Sequence, residues 1–156
     1  MLPKQNNHIS LPMQLLIRAA EPSELAEIQN LFCQTITSVC QKDYDQNQLQ
    51  AWASAVGDSE RWQKLITDQY FLVGELSGKI VGFASLDKGY YIDVLLVHKD
   101  FQRMGIAQAL FVELEAQAKR LNSPLMTAEV SKTANAFFKG NGFRVLAEQL
   151  QVRQNV

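Results

Sequence analysis

The order of apolar and polar positions divides the chain into stretches of different period. Leu15-Leu16-Ile17-Arg18-Ala19 is a short, mostly apolar run that predicts a strand. Pro22 suits the first turn of a helix, where its missing N–H costs nothing. Leu25, Ile28, Leu31, Phe32 and Ile36 then recur at helical spacing. Asp45-Gln46-Asn47-Gln48 has the form of a capping box ahead of Leu49, Trp52 and Ala53. Asp58 or Ser59 can cap a further short helix that carries Trp62, Leu65 and Ile66.

From Tyr70 the pattern changes. Tyr70 to Leu76 and Lys79 to Leu86 predict strands joined by the turn Ser77-Gly78, and Asp87-Lys88-Gly89 turns the chain into a third strand, Tyr90 to Val97. Tight turns between consecutive strands make an antiparallel meander. Gly105 to Leu121 predicts a long helix with Ile106, Leu110, Leu114, Ala118 and Leu121 on one side and a Glu115–Lys119 pair on the other. That helix is long enough to carry the chain back to a parallel strand, Leu125 to Val130. A short helix over Ser131 to Lys139 ends at Asn141-Gly142, and Phe143 to Val152 forms the last strand. Helices and strands alternate late while the middle is a meander, so the expected class is α/β, with a mixed sheet and helices on its faces.

Composition adds limits. The chain has 156 residues, of which 47% are hydrophobic, enough for one domain with a sizeable core. The formal net charge of −1 offers no general attraction to nucleic acid or to an anionic membrane. Lys99, Arg103 and Lys132 could still form a local basic cluster. Cys33 and Cys40 fall about 10 Å apart along one helix, too far for a disulfide, so two reduced thiols in a cytoplasmic protein are expected. The cysteines and histidines show no zinc spacing, and no metal is expected. Residues 1–14, with Pro3 and Pro12, read as a flexible lead-in without the apolar run of a signal peptide, followed by one domain over 15–156.

The candidate chemistry sits between the third meander strand and the long helix. Leu95-Leu96-Val97 leads through a polar turn into Gln102-Arg103-Met104-Gly105-Ile106-Ala107. The first turn of a helix leaves about four N–H groups without intrahelical acceptors, and the helix dipole adds roughly half a positive charge. A diphosphate suits such a place. Gly105 lets a ligand approach the backbone, Ala107 keeps the next approach small, and Arg103 can add charge-assisted bonds. The two common nucleotide fingerprints, the Walker loop and the dinucleotide-binding glycine pattern, do not occur.

The whole segment Ile92–Ala107 resembles the acetyl-CoA motif of the GNAT family of N-acetyltransferases: a strand, a turn, Gln/Arg-x-x-Gly-x-Gly/Ala and a helix. Glu129-Val130-Ser131-Lys132-Thr133-Ala134 and Phe137-Phe138-Lys139-Gly140-Asn141-Gly142-Phe143 resemble its second signature, and the element order agrees from about Leu15 onward. The resemblance implies a GNAT-like acyl-CoA N-acyltransferase fold: a mixed, mostly antiparallel sheet with one splayed parallel pair, Tyr90–Val97 and Leu125–Val130. It implies acetyl-CoA as acyl donor, with no metal. Main-chain groups of Leu95 and Val97 would bond the pantetheine, and an amide near Leu96 or Val97 would polarise the thioester. The amides of Gln102, Arg103, Met104, Gly105, Ile106 and Ala107 would hold the diphosphate, with Ser131, Ala134 and Phe138 near the cofactor.

The chain departs from the family pattern at three places. Lys99 replaces a frequent proline, which changes the stiffness of the turn. Phe138 stands where many members carry a proton-donating tyrosine, so water, Tyr90 or Tyr91 would have to act instead. The family also closes with one more antiparallel strand after the one assigned to Phe143–Val152. Either that strand is supplied otherwise, or the sheet edge stays open, or the chain is shortened; an open edge would allow a homodimer.

Asp93, charged within an apolar strand and sharing a face with Tyr91 and Leu95 at period two, is the first candidate base. Glu129 is the second, and His98 is placed too near the phosphates. Trp52, Trp62 and Tyr44 could wall an acceptor pocket or belong to the core; Asp43, Asp45 and Asp58 could attract a cationic amine or cap helices. The function expected is acetyl transfer from acetyl-CoA to the primary amine of a small molecule or peptide by direct attack. The alternatives are a non-catalytic acyl-CoA-binding module of the same fold and an unrelated interaction domain. Neither nucleic acid nor a membrane is expected as partner.

Overall fold

A computed structural model describes residues 14–53, 58–147 and 150–154. The expected lead-in over 1–14 therefore lies outside the described residues except for Gln14. The chain begins with β1 (Leu15–Ala19), a 3-10 turn at Pro22–Glu24, α1 (Leu25–Val39), α2 (Gln46–Ala53) and α3 (Ser59–Asp68). There follow β2 (Tyr70–Leu76), β3 (Lys79–Asp87), β4 (Tyr91–Val97), α4 (Ile106–Arg120), β5 (Leu125–Glu129), α5 (Asn135–Gly140), β6 (Arg144–Ala147) and β7 (Leu150–Gln154). The seven strands form one sheet in the order β1-β2-β3-β4-β5-β7-β6. Among the described residues, only β4 and β5 pair in parallel.

Local chemistry accounts for the joints. Ser77-Gly78 and Lys88-Gly89 take positive φ at both positions, which matches the twist of a tight hairpin. Asp45 and Gln48 exchange side-chain-to-backbone bonds of 2.8 and 2.9 Å, the capping box that starts α2. The Asp58 carboxylate accepts from the Arg61 N–H at 3.1 Å and starts α3. Arg18 on β1 binds both Glu24 and Glu75, at 2.6 and 2.9 Å, and this pairing holds the Glu24 carboxyl below its usual range.

Helices cover both faces of the sheet. On one face, Ile106, Leu110, Phe111, Leu114 and Ala118 of α4 pack with Phe138 of α5 over Val81, Ala84, Ile92 and Val97. On the other, Ile28 and Leu31 of α1 and Trp62, Leu65 and Ile66 of α3 pack over Phe71, Val73 and Phe83. Trp62 is 1% exposed and lies edge-on to Phe32 and Phe83, at 5.1 and 6.0 Å between centroids. It is core rather than pocket wall.

Several expectations change. Phe143–Val152 is not one strand but a hairpin: Ala147 faces Leu150, and β7 inserts between β5 and β6. The further antiparallel strand is thus supplied within this stretch. Glu148-Gln149 carries no glycine or asparagine, so no turn signal stands there. The short helix starts only at Asn135, because Ser131–Ala134 forms a turn first. Glu115 pairs with Arg153 of β7 rather than with Lys119. Leu121 lies past the end of α4 and is exposed.

Candidate active site

The site begins with a fault in β4. Ser85 of β3 faces Val94 and Leu86 faces Ile92, so Asp93 is an extra residue without a partner on β3. Such a bulge bends a strand and increases its twist. On its other edge β4 pairs with β5 only at Tyr91–Thr127 and Ile92–Ala128, fixed by a 2.8 Å bond from the Thr127 N–H to the Tyr90 carbonyl. β4 runs on to Val97 with no strand paired to that edge among the described residues. A wedge-shaped gap opens there, beside Asp93–Val97.

The bulge also resets the faces. Ile92, Leu95 and Val97 pack toward α4, whereas Val94 and Leu96 pack toward α1 and α3. Asp93 and Tyr91 do share a face, but Leu95 does not join them, because the extra residue breaks the period of two.

The narrowing path from β4 ends at α4. His98 caps a 3-10 turn at Lys99–Phe101: its Nδ1 accepts the Asp100 N–H at 3.0 Å, and its ring lies edge-on to Phe101. Burial, and then the nearby Lys79, lowers its pKa, so the ring is neutral. His98 thus supports the loop, with its Nδ1 lone pair engaged by the Asp100 N–H. Gln102 folds back and its amide donates to the Val97 carbonyl at 2.6 Å, leaving the Val97 N–H as that residue's remaining main-chain group. Arg103 and Gly105 both have positive φ, 60° and 82°, and Arg103, Met104 and Gly105 are exposed. Ile106 anchors the turn in the core and Ala107 is half-buried.

This helix start fits an anion. The Gly105 N-cap contributes no side-chain bond, and no acidic residue occupies the first turn. A Cβ built at Gly105 would meet nothing within 4 Å, so the space in front of it is open. The first-turn amides thus face that space without a competing carboxylate.

On the face away from α4 stand Tyr91, Asp93 and Glu129. The Asp93 Oδ2 accepts from the Gln69 amide at 2.8 Å. Burial raises the Tyr91 pKa, and the charges of Glu129 and Asp93 raise it further. Both candidate carboxylates therefore act on one phenol, although Glu129 is itself exposed.

Beyond the gap, the Ser131 hydroxyl accepts the Ala134 N–H at 3.2 Å and shapes the turn before α5. Phe138 is 4% exposed and stacks edge-on against Phe137 and Phe143, so it adds an apolar wall and no proton donor. The α1–α2 connection bridges the same rim. The Lys132 N–H donates to the Tyr44 hydroxyl at 2.7 Å, and Thr133 donates to Asp43 at 2.8 Å. Tyr44 and Leu96 both pack against the cluster of Ile36, Cys40 and Leu49. Of the three acidic candidates, Asp45 and Asp58 are helix caps and Asp43 is latched to Thr133. The Trp52 side chain lies outside the described residues.

Two contributors escaped the sequence reading. Gln69 ends α3 and carried no motif signal. Gly82, opposite Val97 and Gly74, leaves room for the first turn of α4: a Cβ there would lie 3.0 Å from the Leu96 carbonyl and 3.2 Å from Ile106.

A family model described as an acetyltransferase (GNAT) domain matches residues 40–156. The chain belongs to the GNAT acetyltransferase family. As a GNAT protein it is an acetyl-CoA-dependent acyltransferase. It is 29% identical over 133 residues to the uncharacterized N-acetyltransferase YafP of Escherichia coli (strain K12), covering 85% of this chain and 83% of that one. A GCN5-related N-acetyltransferase from Rhodopseudomonas palustris is 27% identical, with a TM-score of 0.85 over 91% of this chain and 97% of that chain. The PaiA N-acetyltransferase of Thermoplasma acidophilum, solved in complex with coenzyme A, shares the fold at a TM-score of 0.81 and 16% identity, over 91% and 99% of the two chains. Among the described residues, no helix is long and apolar enough to cross a membrane.

Proposed function

We propose that this chain, as a single domain over residues 15–156, acetylates the primary amine of a small molecule or peptide by direct attack on acetyl-CoA. The parting of β4 from β5 at the Asp93 bulge, in line with the uncapped start of α4, carries the reading. The diphosphate lies on the amides of Gln102–Ala107 with Arg103 beside it. The pantetheine follows Leu95–Val97 into the wedge, flanked by Ser131, Ala134 and Phe138, and an amide near Leu96 or Val97 polarises the thioester carbonyl.

The amine enters from the α1 and α3 face. The free amine attacks the carbonyl carbon, and Asp93 takes a proton from its nitrogen, directly or through water, as the C–N bond forms. Collapse of the tetrahedral centre breaks the C–S bond, and the thiolate regains a proton to leave as coenzyme A. Tyr91, kept protonated by its raised pKa, is the phenol on Asp93's face and supplies that proton, or water does. Glu129 is the reserve base. The free thiols of Cys33 and Cys40 accord with a cytoplasmic setting. β6 is an edge strand with Val145 and Leu146 half-exposed, the surface on which a second copy would pair.

The test is release of thiol from acetyl-CoA across a panel of amines. Turnover with at least one amine, slowed about 100-fold or more in Asp93→Asn at unchanged acetyl-CoA affinity, supports the reading. Phe138, which removes the usual donor, favours a second one: a module that binds acyl-CoA without turnover. Tight binding with no thiol release from any amine would establish it.

A further inference from the structure

Gln69 joins the end of α3 to the start of β2. Its backbone N–H closes α3 on the Leu65 carbonyl, and Tyr70 already belongs to β2. Both sides of the backbone are fixed, so the side chain projects from a rigid point. It crosses to the β4 bulge, where Nε2 donates to the Asp93 Oδ2 at 2.8 Å.

An ionised carboxylate only accepts, so the amide nitrogen must face Asp93 and Oε1 must face away. That oxygen is buried and has no hydrogen-bond donor among the described residues. Ser85, directly across from Val94 on the strand beside the bulge, is fully buried, and its hydroxyl also lacks a partner. A buried acceptor left unpaired is destabilising. Two such atoms beside a strand bulge mark a place built for a polar visitor. Gln69 also lines an open cleft of about 380 Å³ with Arg61, Leu65 and Asp87, so the residue borders solvent although Oε1 itself is covered.

We propose that Gln69 is the acceptor-positioning residue of the transfer reaction: its Nε2 holds the Asp93 carboxylate, and its Oε1 accepts an N–H from the incoming amine. The nitrogen is then held between two acceptors, one neutral and one basic. Its lone pair is left to point away from both, toward the wedge between β4 and β5. The role requires an acceptor nitrogen with at least two hydrogens, one for each oxygen, which selects primary over secondary amines. It rests on Asp93 as base.

The experiment compares Gln69→Leu, Gln69→Glu and Asp93→Asn in the full chain. The probe is the fastest-acetylated member of a panel of alkylamines, diamines, lysine and a peptide with a free N-terminus. In Gln69→Leu the amine KM rises roughly tenfold, the loss of one hydrogen bond, while the Kd for acetyl-CoA stays within about twofold. In the nearly isosteric Gln69→Glu, a second carboxylate beside Asp93 raises the pH of half-maximal kcat/KM by about one unit or more. A glutamine that only braced the fold would leave the amine KM unchanged in Gln69→Leu, while Gln69→Glu reports whether Asp93 is the group that titrates. Wild-type amine KM in Gln69→Leu overturns the role of Gln69, even where Asp93→Asn is slow. Wild-type turnover in Asp93→Asn removes the base reading and the positioning role with it.

Discussion

Gly82 offers a test of how closely the sheet must let α4 approach. Gly74 and Gly82 face each other across β2 and β3, both beneath Ile106. Alanine at Gly82 would place a methyl 3.0 Å from the Leu96 carbonyl oxygen, 3.2 Å from Ile106 and 3.3 Å from Leu110. The carbonyl belongs to β4 and cannot yield, so the first turn of α4 must rise. Overpacking of this kind costs about 1–3 kcal/mol. At roughly 2–4 °C per kcal/mol for a chain of this size, the melting temperature should fall by about 2–12 °C. Alanine at Gly74 meets its nearest neighbours at 3.5 Å or more, an ordinary contact. The entropy it removes from the unfolded chain stabilises by about 0.4–1 kcal/mol, so Gly74→Ala should melt at or slightly above wild type. Because Ile106 carries one of the amides proposed to face the diphosphate, Gly82→Ala should also weaken acetyl-CoA binding by about tenfold, and Gly74→Ala should not. Thermal melts and titration calorimetry on the two variants read both effects. A Gly82→Ala protein as stable and as tight as wild type, or a Gly74→Ala protein worse than it, would refute the close-approach argument.

Other outcomes follow from single side chains. His98 has a depressed folded pKa, so the unfolded chain binds more protons near its ordinary value of 6.5. Its contribution to stability is then complete above pH 6.5 and is lost as the pH falls through the folded value; His98→Gln should flatten the acid limb of a melting-temperature profile. Trp62→Ala empties a core site that is 1% exposed and should lose about 3–5 kcal/mol in a denaturant titration. Cys40 is buried and its thiol is pushed up by burial, so a thiol reagent should modify the half-buried Cys33 first in the native protein.

Much of this architecture was legible because short-range chemistry decides it. The capping box at Asp45, the two Lys/Ser-Gly hairpin turns and the apolar stripe of α4 each announce themselves within a few residues. The turn into α4 was legible for the same reason: the glycine, the helix that follows and the strand before it are contiguous. What stayed hidden depends on register between distant strands. The bulge at Asp93 is a mismatch with β3 and has no local signature beyond a charge inside an apolar strand. It put Leu95 on the opposite face from the one that period two implied. The hairpin after Phe143 lacked turn residues and read as one strand. Gln69 meets Asp93 only because α3 ends beside β4, and Gly82 matters only because α4 crosses above it. Local sequence predicted the strand, turn and helix start around Gly105; packing decides what surrounds Asp93.

The central claim is that the uncapped start of α4 holds the cofactor's diphosphate, and Gly105→Asn tests it most directly. Asparagine enters the left-handed region at little cost, and a Cβ there touches nothing in the protein, so the fold should survive. Its side chain would stand in the open space before the amides. Calorimetric titration with acetyl-CoA should show affinity reduced at least about tenfold with a melting temperature close to wild type. Unchanged affinity in that variant would contradict the account.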